Sequence, residues 1–152
     1  MKITKVKRED LKEISELRKE TILKITSECL PESDLKVLIA MNSYKNLLWR
    51  YKYADMYCLK NKKKIIGTID LYNNEIKGFY IHHEHIKEGL GTVLLDFIEK
   101  FAKKQGHKKI RLDCNKSAYG FYLKKGFNLI GKKEPTGKLI KRVIFIMEKE
   151  LL

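Results

Sequence analysis

An α/β fold on a mixed sheet (an α+β arrangement, mostly antiparallel) is predicted by three observations. Apolar residues follow a helical period between Leu11 and Met41 and an alternating period from Asp55 onward. Three strand-like runs are then joined by the short turns Asn61-Lys62-Lys63 and Asn73-Asn74, which reads as an antiparallel meander. Finally, a strand, a long amphipathic helix and another strand follow one another over Ile76–Cys114, and such a crossover needs parallel strands.

Ile3 to Val6 alternates as a first strand. Asp10 then precedes Leu11, Ile14, Leu17, Thr21 and Ile25 at helical spacing, and Glu13 completes a capping-box-like start. A second helix begins near Ser33, after Pro31, and turns Leu35, Leu38, Ile39 and Met41 inward. Met56–Leu59, Ile65–Tyr72 and Ile76–Ile81 are the meander strands. Gly89 to Gln105 is a helix with Leu90, Val93, Leu94, Phe97, Ile98 and Phe101 on its buried face, stopped by Gly106. Ile110–Cys114 is a strand, Ala118–Lys125 a short helix ended by Gly126, and strands near Phe127–Lys132 and Leu139–Glu148 close the sheet. The predicted order is β-α-α-β-β-β-α-β-α-β-β, in one domain over residues 1–152.

Composition narrows the class. The chain has 152 residues, enough for a self-sufficient core, and no stretch approaches the roughly 20 apolar residues of a membrane span. The first residues, Met1 to Lys7, lack the apolar run of a secretory signal, so a cytoplasmic protein without a membrane partner is expected. Cys29, Cys58 and Cys114 are scattered and odd in number, as in a reducing compartment. The net charge of +14 invites a nucleic-acid partner, but the lysines are spread along the chain rather than gathered in one arm. They read as a solvated face, and nucleic acid is not the expected partner.

Two blocks carry chemistry. The first is Lys87-Glu88-Gly89-Leu90-Gly91-Thr92, a glycine-punctuated helix start. Helix starts have unpaired N–H groups and the positive end of the dipole, and glycine admits a phosphate without a Cβ in the way. A dinucleotide fingerprint is not met, because the third glycine position is Leu94, and no Walker lysine follows. The second block, Asn115 to Phe127, follows a strand. It sets an asparagine amide and a tyrosine hydroxyl, Tyr122, on a short helix.

The pattern N-x-x-A-x-x-F-Y-x-K-x-G-F is met by Asn115, Ala118, Phe121, Tyr122, Lys124, Gly126 and Phe127. With Phe79 to Gly91 before it, it resembles the GNAT superfamily of acyl-CoA-dependent N-acetyltransferases, over roughly residues 55–150. His83 stands where proline is common and Ile86 where glutamine or arginine is usual. The second change removes one polar side chain near the pyrophosphate, with Lys87 a substitute charge. The resemblance implies acetyl-CoA as cosubstrate, bound by the backbone of Phe79, Tyr80 and Ile81, by Lys87, Glu88, Gly89, Leu90, Gly91 and Thr92, and by Asn115 and Tyr122. It implies Tyr122 as the acid that protonates the departing thiolate, and a small-molecule or peptide amine as acceptor.

An amine with a pKa of about 10.4 must lose a proton before it attacks a thioester. Glu75, at the start of the strand expected to meet the pantetheine, is a candidate base and equally an exposed strand-end carboxylate. Glu28, Asp70, Asp113 or a water chain are further candidates. His82, His83 and His85 lie on what reads as an extended segment, where neighbours point to opposite sides, so no metal is expected. Trp49, Tyr51, Tyr53, Tyr57 and Tyr72 are expected to divide between core and acceptor pocket. A final strand exposed near Val143–Met147 could pair two copies. The alternative reading is a non-catalytic CoA-binding or nucleic-acid-binding module on the same fold.

Overall fold

The computed structural model describes residues 1–135 and 140–152. In chain order the elements are β1 Lys2–Lys5, α1 Leu11–Lys24, α2 Glu32–Met41, α3 Tyr44–Tyr53, β2 Asp55–Asn61, β3 Lys64–Tyr72, β4 Glu75–Ile81, α4 Leu90–Lys104, β5 Lys109–Cys114, α5 Lys116–Lys124, β6 Asn128–Lys133 and β7 Ile144–Glu150. The seven strands form one sheet in the order β1-β2-β3-β4-β5-β7-β6. Among the described residues only β4 and β5 run parallel; every other pairing is antiparallel. Leu139, placed at the head of the last strand by its apolar run, lies outside the described residues.

Helices cover both faces of the sheet. β3 is an interior strand, with α1 and α4 packed on it, and the seven residues between its ends are all buried. That double cover explains its near-continuous apolar run, Ile65-Ile66-Gly67-Thr68-Ile69-Asp70-Leu71. One core, under α4 and α5, gathers Leu90, Leu94, Leu95, Ile98, Ile110, Leu112 and Phe127. The other, under α1 and α3, gathers Leu11, Ile14, Leu17, Leu47, Met56 and Ile65. Burying each such side chain is worth about 1.5–3 kcal/mol, so these two faces supply most of the drive to fold.

Several expectations are corrected. A third helix, α3, occupies Tyr44–Tyr53, capped by the Ser43 hydroxyl, which accepts from the Asn46 amide at 3.3 Å. It buries only Leu47. Asp10 does not cap α1: its carboxylate accepts from the Lys7 amide at 2.8 Å and closes a turn ahead of the helix. Glu13 reaches instead across to β3, accepting from the Ile65 amide at 2.7 Å. Met41 and Val93, expected inside, are exposed. β7 is not an exposed edge, because it pairs with β5 on one side and β6 on the other. Val143–Met147 therefore offers no free strand for a second copy.

Cys58 and Cys114 are buried and Cys29 is exposed. Burial, with the Asp113 carboxylate adding to it, pushes the Cys114 thiol up to about 11, and burial also raises Cys58. Both stay protonated well above neutral pH, and a protonated thiol is a poor nucleophile. One thiol per chain should react rapidly with a disulfide reagent at pH 8 and three after denaturation. Rapid reaction of two or more in the folded protein would contradict this packing.

Candidate functional site

A cleft opens where β4 and β5 part. Their parallel register holds only at Glu75 with Arg111 and Ile76 with Leu112, supported by the Arg111 amide donating to the Asn74 carbonyl at 2.9 Å. Beyond Ile76 the flank of β4 toward β5 has no strand partner. The cause is visible on the other flank. There β3 advances from Ile69 to Leu71 while β4 runs from Phe79 to Ile76, so β4 carries an extra residue at Lys77–Gly78. A bulge of this kind bends the strand that bears it, and here it turns β4 away from its neighbour.

The bulge rests on a buried polar cluster that sequence reasoning did not find. Arg18 of α1 is fully buried and grips Asp70 of β3 with two bonds, Nη1 to Oδ2 at 2.9 Å and Nη2 to Oδ1 at 2.8 Å. Its Nε donates to Thr68 Oγ1 at 3.1 Å, and Nη1 also reaches Asn42 Oδ1 at 3.2 Å. Arg50 of α3 adds a third donor to Asp70 at 3.2 Å. The Tyr80 ring lies 5.5 Å from the Arg18 guanidinium, a cation–π contact. A Cβ at Gly78 would stand 2.5 Å from both Arg18 Nη1 and Asp70 Oδ2, so only glycine fits the bulge over this pair. Asp70, fully buried between two arginines, is spent on structure and removed as a candidate base.

The splayed strand faces two adjoining cavities, of about 440 Å³ and about 380 Å³. Phe79, Ile81, Ile86, Ala118 and Tyr122 line both, and Tyr80 lines the larger. The smaller runs to the start of α4 and is lined there by Lys87, Gly89, Leu90, Gly91 and Thr92. Gly89 is the N-cap at φ 78°, with no side-chain cap, so the first amides of a 15-residue helix face outward unpartnered. Lys87 also has φ 75°, a left-handed conformation uncommon away from glycine. Glu88 does not line the cavity; its carboxylate is bonded to His85 Nδ1 at 2.9 Å.

Asn115 and Tyr122 stand on the opposite wall. Asn115 is the N-cap of α5, but its side chain makes no capping bond and lines the larger cavity. Tyr122 is held among Phe79, Phe121 and Phe127, with ring centroids at 6.4, 5.2 and 5.6 Å. Burial above all, with the neighbouring Cys114 and Tyr80 groups, raises its phenol well above the usual tyrosine range. It is therefore a neutral donor throughout the physiological range. The expected asparagine, tyrosine, strand flank and helix start are thus brought to one groove.

Glu75 lines the larger cavity too, with Oε1 3.1 Å from Lys77 Nζ. Asp113 lines it paired with Lys133 at 2.8 Å, whereas Glu28 does not line it. The remaining wall comes from Thr21, from Val37, Leu38 and Met41 on α2, and from Ile140, Arg142 and Ile144. Arg142 is tied to the fully buried Asp34 at 2.7 Å, and its Nε is buried with no partner among the described residues. Burial alone would raise the Asp34 carboxyl, but the Lys141 and Arg142 amides and the Arg142 guanidinium outweigh it and hold it below its ordinary value.

Two other expectations change. His82 and His83 do not point to opposite sides: residues 83–85 form a 3₁₀ turn, and the two rings stack at 4.4 Å. Their Nε2 atoms lie 3.4 and 3.6 Å from Glu20 Oε2. His82 Nδ1 accepts from the Glu84 amide at 3.2 Å, so the neutral ring carries its proton on Nε2, toward Glu20. Trp49, Tyr53 and Tyr72 cluster on the surface, with Trp49 4.9 and 6.1 Å from the others, and none lines the cleft. Tyr57 belongs to the core against Phe97 and Phe101. Among the described residues no helix is long and apolar enough to cross a membrane.

The family model described as the acetyltransferase (GNAT) family matches residues 19–127. No curated protein matches the sequence. Among solved structures, the GCN5-related N-acetyltransferase from Rhodopseudomonas palustris superposes with a TM-score of 0.88 at 19% identity, over 99% of this chain and 95% of that one. PaiA N-acetyltransferase from Thermoplasma acidophilum, in complex with coenzyme A, gives 0.80 at 25% identity over 98% of each chain. An aminoglycoside 6'-N-acetyltransferase complexed with coenzyme A gives 0.72 at 15% identity, over 100% and 98%.

Proposed function

The chain belongs to the GNAT acetyltransferase family, and on that premise we propose that it transfers an acetyl group from acetyl-CoA to a primary amine within one ternary complex. The observation that carries this reading is the β4–β5 register, which stops at Ile76 and leaves a groove with Tyr122 on its wall and the α4 amides at its end. The groove fits the cosubstrate. Backbone groups of Phe79 and Ile81, the alternate residues turned away from β3, suit the amides of a pantetheine arm, while Tyr80 pairs with Thr68 on the other flank. The uncapped amides of Leu90, Gly91 and Thr92, with Lys87 beside them, suit a pyrophosphate. Acetyl-CoA supplies the activated thioester.

The roles of the chain's own groups follow from chemistry. The backbone amide near Ile81 donates to the oxyanion that develops on attack. Asn115 holds the arm from the β5 side. Tyr122, a protonated phenol, gives its proton to the leaving thiolate. Glu75, directly or through water, takes the proton from the incoming ammonium. Holding both partners in one groove allows direct transfer with no covalent enzyme intermediate.

Ligand binding to the folded state alone raises stability, by about 2.7 kcal/mol at a hundredfold excess over Kd. For a chain of this size that corresponds to roughly 5 °C or more in Tm. Acetyl-CoA should produce such a shift in a thermal melt. A flat response to acetyl-CoA and to longer acyl-CoAs would end the transferase reading.

A further inference from the structure

The charges around the larger cavity are balanced one against one. Three carboxylates lie in or beside it, Glu75, Asp113 and Asp34, and each has its own cation, Lys77 at 3.1 Å, Lys133 at 2.8 Å and Arg142 at 2.7 Å. Among the described residues lining this cavity no carboxylate is left over for a second or third ammonium of a ligand. The rest of the chain makes matters worse for a polycation, since the formal net charge is +14.

Part of the lining, beside Thr21 and Arg142, is apolar. Val37, Leu38 and Met41 project from α2 and are joined by Ile140 and Ile144. On α2 only Asp34 is buried, and Met41 is 48% exposed. A helix that leaves its apolar stripe half-covered beside a cavity is suited to receive an apolar ligand surface there. The whole cavity measures about 440 Å³ and must also admit the acyl end of the donor, so the acceptor body is small.

We infer that the acceptor is a small monoamine with an apolar body, an arylalkyl- or branched alkylamine, seated against Val37, Leu38 and Met41. Polyamines and aminoglycosides are the wrong charge class for this cleft. The inference rests on the transferase reading and adds the substrate class to it.

The experiment uses the full chain and follows free thiol release from acetyl-CoA with phenethylamine, tryptamine, isoamylamine, spermidine and kanamycin as acceptors. The Tm shift with acetyl-CoA is recorded in parallel. The apolar monoamines should exceed spermidine and kanamycin in kcat/KM by at least about tenfold. Met41→Glu, at an exposed position, should lower turnover of the apolar amines and narrow that ratio. If acetyl-CoA causes no shift, the transferase reading falls and takes this inference with it. If acetyl-CoA binds but the polycations are the better acceptors, or no apolar monoamine is acetylated, the inference alone is overturned.

Discussion

Tyr122→Phe should lower kcat by about a hundredfold or more, the range for loss of a general acid, while the Kd for acetyl-CoA stays within a factor of about two. The substitution keeps the ring that packs against Phe79, Phe121 and Phe127, so the wall of the groove survives. Only the proton is lost. The pH dependence sharpens the test. Because burial raises the phenol above its ordinary value of 10.0, it stays protonated at and below that pH. The wild-type rate should show no alkaline fall from this group below about pH 10, and any rise at lower pH belongs to deprotonation of the amine or its base. A variant with unchanged kcat would remove Tyr122 from the proposed chemistry and leave it a packing residue.

Arg18→Ala should cost about 3–5 kcal/mol, because it strips a buried carboxylate of its two-bond partner. Asp70 would keep only Arg50, at 3.2 Å, and the Thr68 and Asn42 oxygens would each lose a donor. The expected fall in Tm is about 10 °C or more, read by calorimetry. The cluster also underlies the Lys77–Gly78 bulge, so acetyl-CoA affinity should weaken in whatever fraction remains folded. A double-mutant cycle with Asp70→Asn should show strong coupling, since the two side chains share one bidentate contact. Additive losses, or a single-mutant loss below 1 kcal/mol, would mean the cluster does not hold the bulge.

Much of the architecture is written in short-range patterns. Alternation in Ile110–Cys114 and the apolar stripe of Leu90, Leu94 and Ile98 report burial directly, because one face of each element is buried. The site was legible where its residues are close in sequence: Asn115 and Tyr122 share one short helix, and Gly89 to Thr92 share one helix start. What escaped depends on distant contacts. Arg18 reads as a solvated charge on α1, and nothing local announces that Asp70, 52 positions away, will neutralise it. Met41 and Val93 match the helical period yet face outward, because periodicity shows that a stripe exists and not what covers it. The stacked histidines escaped for a different reason: His83 to His85 tighten into a turn, and alternation no longer applies.

The place of β7 bears on how the polypeptide matures during synthesis. It follows β6 in the chain yet is inserted between β5 and β6. On the ribosome β5 therefore emerges with nothing beside it on that flank, and β6 waits as an unattached segment until residues 144–150 arrive. Pairings of this long range are slow to form, and their unsatisfied borders invite contact with other nascent chains. The acyl-transfer groove has β5 as one bank, so it acquires its final shape only when that late insertion is complete.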